Sequence, residues 1–321
     1  MKKNILITSA GKRCELLMEF QRELKSCYPD AKVLTVDCNP DMAPACRLSD
    51  GAFAVPLVTS ADYIDKLLEL CEQNDVRMVI PTIDTELIVL SQNIDRFESQ
   101  GVKVMVSDEN FIWKCRDKRK TNELFESLGI RNPIPRDKYN PIFPMFAKPY
   151  DGSLSTNIHI LHNKAELTDE ILNDFKLMFM EFIDKAEYKE FTVDMYYGAD
   201  HYVKSIVPRE RIEIRSGEIN KGATRKNYLV EYLKERMNFM PGVRGCICIQ
   251  LFYREIDNDV VGIEINPRYG GGYPLTYYAG ANFPAMMISE YFKGEHVFYS
   301  DDWQNNTVIL RYDSQVIFHE G

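Results

Sequence analysis

Between Asn4 and about residue 110, short apolar runs alternate with segments of helical period, and this alternation limits the fold more than any other feature. "NILITSAG" reads as a buried strand followed by a turn. "KRCELLMEFQRELKSC" places Leu17, Phe20 and Leu24 on one helical face. "AKVLTVDCN" is a second strand ending at Asp37. "TSADYIDKLLELCEQN" opens like a capping box, Thr59 to Asp62, and continues with Ile64, Leu67, Leu68 and Cys71 at helical spacing. "VRMVIPTID" and "VKVMVS" are further strands. Strands separated by helices imply a parallel sheet wound in the Rossmann manner. A dinucleotide site is disfavoured, because the first turn holds only Gly11 and no G-x-G-x-x-G. Asp37 stands where a ribose-binding acid would, but many parallel strands end in a polar residue. "PTIDTEL" puts Asp84 and Glu86 after a strand, where open α/β sheets bind ligands. A helix cap with an acidic first turn explains the pair equally well.

The 321 residues suffice for two or three cores. A formal charge of −9 argues against bulk affinity for nucleic acid or an anionic membrane. An anionic ligand must therefore meet a local cluster of cations. The apolar run in "MKKNILITSAGKR" is too short for a signal-peptide core. No run approaches the roughly 18 residues needed to span a bilayer, so a cytoplasmic protein is expected. The eight cysteines include no C-x-x-C and read as reduced thiols. Cys246 and Cys248 share a strand face and are expected in the core. The five histidines lack metal-ligand spacing, no G-x-S-x-G occurs, and no internal repeat is evident.

"CRDKRKTNELFESLGI" is expected to form one helix ending near Gly129. The proline-rich "RNPIPRDKYNPIFP" reads as a boundary link, and the remainder as α+β. In "CICIQLFYREIDNDVVGIEINPRYGGGYP", two strands flank the turn residues "DND". A hairpin centred near Asp257 sets Gln250 opposite Glu264, and Asn266 shares their face. Three oxygen-bearing side chains on one patch are costly without a partner. A hard divalent cation such as magnesium, which takes carboxylates and nucleotide phosphates, would resolve that cost. Arg268 would sit just past it, within reach of a phosphoryl or carboxyl oxygen. The alternative is a solvated polar strand face.

Lys148 ends "FPMFAKP" before "YDGSLST", whose glycine and hydroxyls, Ser153 and Ser155 among them, suit phosphates. An ordinary hairpin turn has the same pattern. "FMEFIDKAEYKEFTVDMYYG" reads as strand, short loop and strand. The backbone of Glu181, Phe182 and Ile183 suits adenine and Glu190 suits ribose hydroxyls, yet on these residues alone a plain sheet edge is favoured. Lys204 to Lys226 carry seven cations and three acids, a net of +4, with Arg209, Arg211 and Arg215 on one strand face. An anion site and a solvated strand paired with Glu210, Glu213 and Glu218 account for this equally.

Taken in order, "RDK" before a helix ending in "LGI", "AKP" with "DGSLST", "EFI" before "EYKEFTVD", "IQLF" and "EINPR" resemble the ATP-grasp superfamily. The resemblance is nearest to single-module proteins similar to the carbamoyl-phosphate synthase large chain. It spans roughly residues 110 to 285, and the preceding α/β region resembles the pre-ATP-grasp domain of those proteins. It implies a Rossmann-like domain (1–110), an N-lobe with a phosphate lid (111–185) and a C-lobe with a metal site (186–321). It also implies that Lys118 and Lys148 contact ATP phosphates, Glu181 to Ile183 form the adenine hinge, and Glu190 binds ribose. Gln250, Glu264 and Asn266 would hold one or two Mg2+ ions, for which Mn2+ can substitute, and Arg268 would lie beside the transferred phosphoryl group. Lys221 and Arg225 are candidates for the remaining phosphate-contacting base. The lid has one glycine where the family often has several. The turn "RYGGGYPLTYYAG" would let backbone approach a ligand, with Tyr273 lining the acceptor pocket. The implied activity is an ATP-dependent ligase joining a small carboxylate to an amine, or less readily a thiol, through an acyl phosphate. A homodimer is the family's expectation. A small-molecule kinase, a partial carbamoyl-phosphate-synthase-like module, a nucleotide sensor and a nicotinamide oxidoreductase are the alternatives. Full carbamoyl-phosphate synthesis needs two modules, and one is present.

Overall fold

The computed structural model describes residues 3–151, 157–215 and 217–319. Its first strand, β1 (Asn4–Ile7), is buried at every position and so needs cover on both faces. It lies central in a five-stranded parallel sheet of order β3-β2-β1-β4-β5, with β2 Val33–Asp37, β3 Ala52–Ala54, β4 Val76–Ile80 and β5 Lys103–Val104. The intervening helices are α1 (Cys14–Cys27), α2 (Pro44–Leu48), α3 (Tyr63–Gln73), α4 (Asp84–Ser91) and α5 (Ile94–Ser99). Leu17, Phe20 and Leu24 of α1 are fully buried, as their spacing predicts. The capping box is not formed. α3 starts at Tyr63 with Asp62 at its cap, and the Ser60 hydroxyl takes the Asp62 carboxylate at 2.5 Å, leaving no side-chain cap for the helix.

"CRDKRKTNELFESLGI" forms two helices rather than one, α6 (Glu109–Arg116) and α7 (Lys118–Ser127). Asp117 is extended between them, and its carboxylate accepts from Arg119 N–H, capping α7. The break sets Lys118 at the first turn of α7, its N–H donating to Tyr150 O at 2.9 Å. A three-stranded antiparallel sheet follows, ordered β7-β6-β8, from β6 (Met145–Pro149), β7 (His159–Leu161) and β8 (Leu177–Glu181), with α8 (Asp169–Asn173) between the last two. The proline-rich stretch is no free link. Pro135 bridges Met180 in this sheet, and Arg131 bridges Val261 in the next.

That next sheet has six antiparallel strands ordered β13-β12-β9-β10-β11-β14. They are β9 (Lys189–Tyr197), β10 (Val203–Arg215), β11 (Glu218–Thr224), β12 (Gly245–Arg254), β13 (Asp259–Asn266) and β14 (Val308–Leu310), with helices α9 (Tyr228–Met237), α10 (Tyr273–Tyr278) and α11 (Phe283–Ile288). α1 packs against α10 and α11, joining the first domain to this lobe through one continuous core. No helix among the described residues is long and apolar enough to cross a membrane.

That seam buries one acid at a cost. Glu19 of α1 is fully buried, and neither carboxylate oxygen has a hydrogen-bond partner among the described residues. Burial first, then the like charges of Glu15, Asp194 and Glu23, push its pKa well above 4.5, with Arg22 opposing. The folded state therefore holds a proton that the unfolded state releases near 4.5. Stability is full below that pH and declines as pH rises towards the folded-state pKa. Glu19→Gln should raise stability at pH 7 by about 1–2 kcal/mol and flatten that decline. Urea unfolding from pH 4 to 8 reads both, and parallel wild-type and variant curves would contradict it.

Candidate active site

The site grows from one face of the six-stranded sheet. Pairing places Gln250 opposite Glu264 and Cys248 opposite Asn266, the register the hairpin predicts. On the next strands, Gln250 pairs with Thr192, Cys248 with Asp194, and Arg209 with Thr192. Alternation then lines Glu264, Asn266, Gln250, Cys248, Glu190, Thr192, Asp194, Arg209 and Arg211 on one surface.

The two amides are turned in an informative way. Asn266 Nδ2 donates to Glu264 Oε1 at 3.1 Å, and Gln250 Nε2 donates to Glu190 Oε1 at 2.6 Å. Gln250 thus reaches across to Glu190 rather than to Glu264. With their nitrogens engaged, Gln250 Oε1, Asn266 Oδ1 and Glu264 Oε2 accept no hydrogen bond from the described residues. Three oxygens without donors around one carboxylate fit a hard cation with oxygen ligands, which magnesium is.

Two lysines approach Glu264, Lys148 from the smaller sheet and Lys118 from the first turn of α7, which packs on β13. Lys148, on β6, is almost wholly buried and makes no hydrogen bond to a described residue. Burial lowers its pKa to about 8, with Lys118 adding to the shift and Glu264 opposing it. Lys118 is also buried; burial lowers its pKa, and Glu264 is the strongest opposing charge. Ser153 and Ser155 lie outside the described residues.

The connector between β8 and β9 divides its predicted roles. Glu181 N–H is taken by Ile134 O at 2.8 Å, and its carboxylate pairs with Arg131 at 2.5 Å. Phe182 and Ile183 are half-buried, and their backbone groups make no hydrogen bond to described residues. A flat ligand with donor and acceptor edges would satisfy them. Glu190 is buried and crowded, with Lys185 Nζ at 2.8 Å, Arg211 Nε at 2.9 Å and Gln250 Nε2 on its two oxygens.

The cation-rich hairpin is not an open anion patch. Arg209, fully buried, donates Nε and Nη2 to the two oxygens of Asp194 at 2.7 and 2.8 Å. Asp194 also accepts from Thr276 Oγ1 at 2.5 Å and Cys248 Sγ at 3.0 Å. Register shifts after Arg211 turn Arg215 away from the face, to Asp313 in solvent. Lys221 is exposed and held by Glu213 at 2.7 Å, and no hydrogen bond or ion pair joins it to Glu264 or Arg268. Arg225 pairs with Glu210 at 2.6 Å.

Tyr273 is core, not pocket lining: it is fully buried, its hydroxyl accepting from Phe283 N–H at 2.9 Å and donating to Ala281 O at 3.3 Å. The three glycines after Arg268 serve close packing within the protein. A Cβ on Gly270 would stand 3.1 Å from Cys248 Sγ, one on Gly271 2.9 Å from the Glu218 carboxylate, and one on Gly272 2.2 Å from Arg209 Nη1.

Arg268 crosses to the first domain. Its Nη2 meets Asp84 Oδ2 at 2.7 Å, Nη1 donates to Tyr269 O at 3.1 Å, and Nε is buried without a partner. Glu86 turns inward instead. Its oxygens accept from Ser9 Oγ at 2.9 Å, Tyr63 Oη at 3.1 Å, Thr82 N–H at 2.7 Å and Ile83 N–H at 3.1 Å. It ties the turn after β1 to the turn after β4. Asp37 likewise holds Gly11 N–H at 3.0 Å. The first turn is bent, with Ser9 at φ 49° and Gly11 at φ 45°. It carries Arg13, a residue absent from the sequence-derived candidates. Its signal was present, a basic pair in "SAGKR" at the end of a parallel strand.

Residues 5–105 match the family described as PylC-like, N-terminal domain, and residues 174–312 match ATP-grasp in the biosynthetic pathway with Ter operon. No curated protein matches the chain. Among solved structures, the biotin carboxylase domain of a Hydrogenobacter thermophilus 2-oxoglutarate carboxylase, in complex with MgADP, ADP and bicarbonate, is similar at 15% identity. The match covers 96% of this chain and 73% of that one, with TM-score 0.72. An L-amino acid ligase from Bacillus licheniformis matches at 16% identity over 91% and 74%, TM-score 0.65. N5-carboxyaminoimidazole synthetase from Staphylococcus aureus matches at 13% over 97% and 81%, TM-score 0.67.

Proposed function

We propose that the chain, whose residues 174–312 match an ATP-grasp family and whose residues 5–105 match a PylC-like N-terminal domain, is an ATP-dependent ligase joining a small carboxylate to an amine. The observation that carries this reading is the convergence of Lys118 of α7 and Lys148 of β6 on Glu264, beside two amide oxygens that accept no hydrogen bond from the described residues. Phosphoryl transfer needs charge neutralisation and positioning more than a side-chain nucleophile.

Lys118 and Lys148 hold the phosphate tail, and the open backbone of Phe182 and Ile183 takes the base. Glu190 lies at the foot of the same connector, where it accepts from ribose hydroxyls. Glu264, Gln250 and Asn266 would hold magnesium, which supplies charge neutralisation for the phosphates when bound. The substrate carboxylate attacks the γ-phosphorus, the bond to the bridging oxygen breaks, and ADP leaves. The amine then attacks the acyl carbon, phosphate departs, and the amine loses a proton. Arg268, with one buried N–H uncommitted, steadies the oxyanion of that second step. The L-amino acid ligase and the carboxyaminoimidazole synthetase among the similar structures support ligase chemistry on this fold.

The test is ADP release from Mg-ATP with carboxylic acids and amines offered singly and in pairs. Turnover is expected with a matched pair and not with either partner alone. Full turnover with the acid alone would identify a kinase instead.

A further inference from the structure

Arg13 is the cation that the reaction above leaves without a task. Among the described residues its guanidinium makes one hydrogen bond, Nη2 to Thr82 O at 3.3 Å. A guanidinium carries five donors in a rigid fork. The charges acting on it are Arg268, Glu218, Cys248 and Asp84, and burial followed by Arg268 lowers its pKa. Both neighbouring acids are committed elsewhere. Asp84 pairs with Arg268 at 2.7 Å, and Glu218 pairs with Arg311 at 2.8 Å. Two arginines from different domains therefore share one carboxylate, Asp84, which is already paired with Arg268, and a further anion between them would be stabilised. Three turns surround it. They are the turns at the carboxyl ends of β1 and β4, where parallel sheets bind ligands, and the glycine turn against which Glu218 packs.

We infer that Arg13 anchors a second carboxylate of the substrates, one that is not phosphorylated. The reacting carboxylate lies towards Lys148 and Glu264, so a separate anion is needed to engage Arg13. That group belongs either to the amine, which is then an amino acid, or to the donor, which is then a dicarboxylic acid. The distinction between reacting and anchored carboxylates rests on the ligase reading; the anion-binding role of Arg13 does not.

Thermal unfolding of the full chain with MgADP tests it. The ligands are the twenty amino acids with their primary amides, and dicarboxylic acids with their monoamides. At least one acid should stabilise the wild-type protein with its amide about 100-fold weaker, and the responding series identifies the source. Arg13→Ala should lose that discrimination, and Arg13→Lys, retaining charge but not the fork, should recover part of it. Equal stabilisation by acids and amides, stabilisation by none, or unchanged discrimination in Arg13→Ala would overturn the inference. ADP release is read separately. A wild-type protein that discriminates yet releases no ADP with any pair would sink the ligase reading and leave the role of Arg13 standing.

Discussion

Glu264→Ala lowers ADP formation from Mg-ATP by about 10³-fold while the protein remains folded. The carboxylate lies beside the two amides whose oxygens accept no hydrogen bond from the described residues, and it is the main opposing charge for two buried lysines. Removing it takes away the carboxylate proposed to hold the cation and the main opposing charge for both lysines, leaving Asp151 and Asp84 to act on Lys118. Lys148, already lowered to about 8 by burial and by Lys118, drops further. Only its charged form attracts phosphate, so residual Mg-ATP affinity in the variant should fall away at lower pH than in the wild type. Calorimetric titration from pH 6.5 to 9 measures that displacement, and circular dichroism checks the fold. A variant with wild-type turnover would show that the carboxylate holds no catalytic cation.

Glu86→Ala is expected to cost about 4 kcal/mol of stability and about 6 °C in melting temperature. Four donors converge on this fully buried carboxylate, two from backbone and two from side-chain hydroxyls. Burial raises its pKa, and the Ile83 and Thr82 N–H groups, followed by Thr8 and Ser9, hold the shift back. Alanine leaves buried donors orphaned in two turns at once. Those turns present Arg13 and Asp84, so KM for the carboxylate should rise as stability falls. Glu86→Gln keeps the volume and one acceptor and should lose roughly half as much. A melting temperature within 2 °C of wild type for Glu86→Ala, well below the shift expected from the per-residue scale, would refute this account.

The legible parts of the chain were those where period and spacing translate directly into geometry. The β12–β13 register followed from alternation and the "DND" turn, which alone set Gln250 opposite Glu264. The parallel sheet followed from strands that read as apolar throughout, separated by amphipathic helices. What stayed hidden depended on contacts between residues far apart in the chain. Arg209 looked like an anion-binding residue because nothing local reveals that Asp194, two strand positions beyond Thr192, consumes both arms of its fork. Arg215 was assigned to the wrong face because bulges after Arg211 leave no clear composition signal. Asp84 and Glu86 part ways at one helix start: Arg268, 184 residues away, takes Asp84, while Ser9, Tyr63 and the Thr82 and Ile83 N–H groups hold Glu86 inward. Tyr273 looked like a pocket residue for its position after the glycines, whereas its hydroxyl closes a buried turn.

The glycine turn separates what this protein can change from what it cannot. A methyl group at position 272 would collide with the guanidinium beneath it, a clash no side-chain rotation of a buried, doubly anchored arginine can relieve. One wall of the crevice is therefore cast in fixed form. The opposite wall is the two turns of the first domain, joined by Glu86 and Thr82 and, after β1, held by Asp37 as well. Change in the remaining side chains of those turns, rather than drift in the sheet, is the economical route by which a chain of this design acquires a new partner molecule.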